Sequence, residues 1–140
     1  MANTALNTQP IYTASGDTQW TLSAATANIT KDLISGTIFT AFTASATGGY
    51  VQRIRFKPLG TNVATVARVF INNGLTTATA ANNTYWDDIS LPSTTVSEVS
   101  AQPTFELPLN IALPANYRIF VTLGTAVAAG YHITTIGGKY

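Results

Sequence analysis

The chain has 140 residues, enough for one domain around one core. Hydrophobic residues make up an ordinary 46%, but charged residues only 9%, against roughly 25% in typical soluble domains. Seven bases and six acids leave a formal charge of +1, too little for the strongly basic face of a general nucleic-acid binder, and the absence of cysteine excludes a disulfide, a thiolate metal site and a cysteine nucleophile.

The chain opens with MANTALNTQP, polar and without periodicity. We read residues 1–10 as an arm ahead of a single β-domain over 11–140. The opening has neither the basic start nor the apolar core of a signal peptide. No stretch approaches the ~20 apolar residues of a membrane helix. The expectation is therefore a protein made in the cytoplasm, and used there or packed into a particle.

Strands are predicted over 11–14, 18–23, 36–44, 50–57, 65–71, 84–91, 105–109, 117–123 and 131–136. Each is a short run of β-branched and aromatic residues. Turn residues separate them, notably Ser15-Gly16-Asp17, Gly48-Gly49, residues 58–62, Asn72-Asn73-Gly74, Pro92-Ser93 and Gly137-Gly138. The last third shows the pattern best. Tyr117, Ile119, Val121 and Leu123 alternate with Arg118, Phe120 and Thr122, which predicts a strand with one buried face. Pro108 and Pro114 lack the N–H that a central strand needs, so 105–109 is read as a short edge segment. Residues 114–116 are then a turn, with Asn116 suited to the left-handed region. The only helical candidates are 24–27 and 77–81. Eight or nine short strands without helical crossovers predict an all-β antiparallel sandwich, and the jelly roll of about eight strands is the leading arrangement.

Residues with chemical potential are few. Arg53, Arg55 and Lys57 alternate with Ile54 and Phe56, placing three cations on one strand face. That face is either a docking stripe for an acidic surface or phosphates, or simply a solvated exterior. Arg68 shares a face with Val66 and Phe70, and its candidate acidic partners are Asp17, Asp32, Asp87, Asp88, Glu98 and Glu106. Asp87 and Asp88 are neighbours that point to opposite faces of a strand, so they do not form a catalytic carboxylate pair. The single histidine, His132, would have to carry a zinc site or a hydrolytic triad alone. There is no nucleophile elbow, Walker loop or dinucleotide fingerprint. The reading is therefore not an enzyme, with no cofactor and no metal. Trp20 and Trp86 are candidate sugar-stacking platforms, set against the commoner role of packing. The sequons at Asn28 and in Asn82-Asn83-Thr84 carry no weight without an export signal.

Three stretches together resemble a known group. ATGGYVQRIRFKPLGTNVATVARVFINNG (46–74), LPLNIALPANYRIFVTLGT (107–125) and AAGYHITTIGGKY (128–140) are similar to parts of small head decoration, or cement, proteins of tailed bacteriophages. Asn116 stands where that group is expected to have a glycine, and Lys139 where an acid is usual. The resemblance implies a jelly roll that assembles as a homotrimer on the outer surface of the icosahedral head. There it would bind the major capsid protein and brace the shell, with no nucleic-acid or membrane partner. Under that reading the arm, including Asn3, Thr4 and Leu6, and the cations Arg53, Arg55 and Lys57 are our candidate capsid contacts. Some relatives of this shape are tail or fibre components, which keeps a glycan-binding module as the alternative.

Overall fold

The computed structural model describes residues 19–140, with side chains from Ala24 onward. Eight strands follow one another: β1 (Gln19–Ala24), β2 (Phe39–Thr43), β3 (Gly49–Pro58), β4 (Thr65–Asn72), β5 (Asn83–Leu91), β6 (Phe105–Leu113), β7 (Arg118–Leu123) and β8 (Tyr131–Lys139). They form two antiparallel four-stranded sheets, in the orders β1-β8-β3-β6 and β2-β7-β4-β5. The neighbours β1–β8 and β3–β6 in one sheet and β2–β7 and β4–β5 in the other are the pairs of a single long hairpin rolled over itself. This is the jelly roll. The predicted strand 11–14 and the arm 1–10 lie outside the described residues.

The core forms because alternate side chains of both sheets meet in the middle. Val51, Ile54 and Phe56 of β3, Tyr131 and Ile133 of β8, Ala67 and Val69 of β4, and Ile119, Val121 and Leu123 of β7 are almost wholly shut from solvent. Each large aliphatic or aromatic side chain buried there contributes roughly 1.5–3 kcal/mol of transfer free energy.

The expectation that β7 buries one face needs correction. Phe120, on the other face, is also buried, packed with Leu33, Phe70 and Ile38. The connection between β1 and β2 folds back over the outside of its sheet and makes a second, small core. Asn28 holds that connection. Its amide donates to the carbonyls of Ser35 and Thr37, both at 3.0 Å, and its oxygen accepts from the Thr30 N–H and hydroxyl. Gly36, at φ +84°, lies so close that a Cβ would stand 2.7 Å from the Asn28 side chain. Leu33 reaches its pocket from a left-handed backbone, φ 61°.

Other boundaries also shifted. The segment predicted to end at 109 is a nine-residue strand running through Pro108 to Leu113. It tolerates the proline because β6 is an edge strand. Gly137-Gly138 is not a terminal turn but part of β8, where Gly137 passes against β3. Residues 24–27 are not helical: Ala24 ends β1, and Ala27 bridges to Leu123. The 77–81 candidate yields only a 3-10 turn at Ala80–Asn82. The turn after β6 is as expected, with Asn116 at φ 63° and the Tyr117 N–H donating to the Pro114 carbonyl at 3.2 Å.

Candidate docking surfaces

Three regions carry the side chains that sequence reasoning singled out, or should have. The first is the outer face of the β1-β8-β3-β6 sheet. Arg53, Arg55 and Lys57 do share it, but their circumstances differ. The Arg53 Nε lies 3.3 Å from a Glu106 carboxylate oxygen of β6, and its guanidinium also donates to the Gln52 side chain. Lys57 donates to the Gln102 carbonyl at 2.8 Å, tying it to the loop after β5. Arg55 is exposed and forms no ion pair among the described residues. One of the three cations is thus free for a partner, and two are engaged within the fold. His132 lies on the same face, in register with Lys57.

The second region is the end of the sandwich where β3–β4, β5–β6 and β7–β8 are joined. Three buried or half-buried polar residues lock these loops together. Asn62 accepts from the Ala129 and Gly130 N–H groups and donates to the Gly130 carbonyl. Thr94 and Gln102 both donate to the Gly60 carbonyl, at 2.9 and 2.8 Å. On this framework sit four outward aliphatic side chains: Leu59, Val63, Val96 and Val99, the last 95% exposed. The sequence reading missed them. Their signal was apolar residues inside loops otherwise made of Thr, Ser, Asn and Gln, which strand periodicity does not register.

The third region is a groove of about 250 Å³ at one flank, between the edge strands β5 and β6. Its walls are Ile71, Trp86, Ile111, Leu113, Pro114 and Tyr117, with the Thr84 side chain beside them. A register shift in β5 between the partners of Val69 and Phe70 turns Trp86 to this side. Trp86 is 48% exposed. Tyr85, on the other side, meets Phe70 edge-on at 4.9 Å and donates to Asp88 at 2.7 Å. Burial, and then Asp88, raises its hydroxyl above the ordinary tyrosine pKa. Trp20 lies in β1, and its side chain is outside the described part.

The remaining candidates resolve into local structure. Among the described residues Arg68 forms no ion pair with a carboxylate; it donates to the Asn28 carbonyl at 3.2 Å. Asp87 accepts from the Asp88 N–H and has no cation partner among the described residues. Asn82 and Asn83 are engaged in holding the β4–β5 loop, through the Thr76 and Thr77 carbonyls. Asn3, Thr4 and Leu6 lie outside the described residues. Among the described residues no three His, Asp or Glu side chains converge as metal ligands, and no helix is long and apolar enough to cross a membrane. Compared with models of protein families, with curated proteins and with solved structures, the chain matches none.

Proposed function

We propose that this chain is a structural virion protein: a decoration protein that binds the outer surface of a bacteriophage head as a homotrimer and stabilises the shell. The observation that carries this reading is the locked loop end bearing Leu59, Val63, Val96 and Val99. Rigid loops that hold several aliphatic side chains in water suit a protein interface, since docking them releases transfer free energy at little ordering cost. A nearly neutral chain adds little charge repulsion between crowded copies. The resemblance of 46–74, 107–125 and 128–140 supplies the identity of the partner, the major capsid protein. Binding to the assembled shell alone would stabilise it by mass action.

The test is binding of the full chain to undecorated heads. Val96→Asp together with Val99→Asp should weaken binding by about ten-fold or more, the loss of one or two buried aliphatic contacts. Unchanged affinity in a folded double variant would refute docking through this end. Deleting residues 1–9 tests the arm separately.

A second reading, a glycan-binding module of a tail or fibre, has one observation in its favour: Trp86 is half-exposed in a groove. Saturable protection of Trp86 by host-surface oligosaccharide would favour it over the first.

A further inference from the structure

The flank groove has walls of a particular chemistry. Trp86 and Tyr117 supply aromatic faces, Ile71, Ile111 and Leu113 supply aliphatic ones, and Pro114 stiffens the rim. Hydroxyls of a sugar stacked on Trp86 would face mostly hydrocarbon, where unpaired polar groups are costly. At about 250 Å³ the groove is also below the usual range for a whole small-molecule ligand, roughly 300–1,000 Å³. It is the right size for one or two apolar side chains.

Two further features flank it. Among the described strands β5 and β6 lie at the sheet edges, each with one side that no described strand pairs. Next to Trp86 stands Asp87, exposed and without a cation partner among the described residues, whereas Asp88 is turned to the other side, where it accepts from Tyr85. The rim on the β5 side is therefore acidic, in a chain with only six acids.

We infer that this groove binds an extended peptide segment of a partner protein, with a proline or aliphatic side chain against Trp86 and an adjacent Arg or Lys over Asp87. Aromatic-lined grooves favour proline-containing extended segments because these are stiff before they bind and lose little entropy on docking. The basic residue is selected by charge complementarity at the rim. Neither the capsid reading nor the glycan reading is needed for this inference.

The experiment uses the full chain labelled with 5-fluorotryptophan, with the Trp86 fluorine signal assigned from Trp86→Phe. The probes are two synthetic peptides containing Arg-Pro-Ile-Pro and Pro-Ile-Pro-Arg, which cover both chain directions, and the same peptides with Glu in place of Arg. The expected result is a saturable shift of the Trp86 signal with a Kd on the order of 100 µM. Affinity should fall roughly three- to ten-fold for the Glu peptides and for Asp87→Asn, with the difference shrinking at high salt. Asp87 is exposed, so that variant keeps the fold. No saturable shift up to millimolar peptide would overturn the inference. Equal binding of Arg and Glu peptides would also overturn it, as would a shift produced by oligosaccharide and not by peptide.

Discussion

The Asn28 side chain makes four hydrogen bonds while the residue is 3% exposed, and through them fixes a loop that covers the second core. Asn28→Ala strands the Thr37 carbonyl and the Thr30 N–H, while the Ser35 carbonyl keeps the Thr30 hydroxyl, so it should cost about 2–4 kcal/mol in urea unfolding, more than a surface substitution would. Tyr131 gives a second residue-level expectation. It is fully buried, and burial raises its hydroxyl above the ordinary tyrosine value. The folded state then holds the proton more tightly than the unfolded chain, so stability falls as pH rises above about 10 and is unaffected by this group below it. Urea midpoints measured from pH 9 to about 11.5 should show that fall, and Tyr131→Phe should flatten it. It should not abolish it, because Tyr85 is shifted in the same direction.

At the scale of the element, β8 is the strand that most constrains its sequence. It lies between β1 and β3, with both ladders occupied. β3 bulges between Val51 and Arg53, and there Gly137 comes so close that a Cβ would stand 2.2 Å from the Tyr50 carbonyl oxygen. Gly137→Ala should therefore destabilise by about 3 kcal/mol or more, because the contact is with backbone that cannot swing aside. Thermal unfolding monitored by circular dichroism would measure it. The edge strands manage a different problem. β6 carries Pro108, a bulge and Asn110 at φ 51°, while β5 carries a bulge and the acids Asp87 and Asp88. These features discourage pairing with stray copies.

For the whole molecule, the balance of charge decides how a partner is held. The sequence presents Arg53, Arg55 and Lys57 as equals, but among the described residues Arg53 and Lys57 are engaged and Arg55 forms no ion pair. If the sheet face touches an acidic partner, Arg55→Gln should lower the salt dependence of binding while leaving stability within about 0.5 kcal/mol. Lys57→Gln should instead loosen the loop that it ties at Gln102, and lower stability without a matching change in salt dependence. Titrations at several ionic strengths, beside unfolding curves, separate the two. The knitted loop end needs no such charge, and its aliphatic side chains should hold a partner with little response to salt.

Much of the fold was legible because strand periodicity and turn chemistry are local. The strand over 118–123, the turn at Asn73-Gly74 and the left-handed Asn116 depend on a few neighbouring residues and are found in the folded chain, whereas the turn expected at Gly48-Gly49 lies at residues 46–47 and Gly49 opens β3. The sequence thus determined the all-β class and the approximate position of each described strand. It did not determine what lies against each strand. That Phe120 is buried, that Pro108 sits inside an edge strand and that Gly137 belongs to a central one follow from strand order. The groove at Trp86 and the fate of each cation have the same origin. Contacts between residues tens of positions apart decide these matters, and no local pattern encodes which strand becomes the neighbour. The tertiary structure settles them because a buried face, an edge and a free charge are all defined by the partner across the gap.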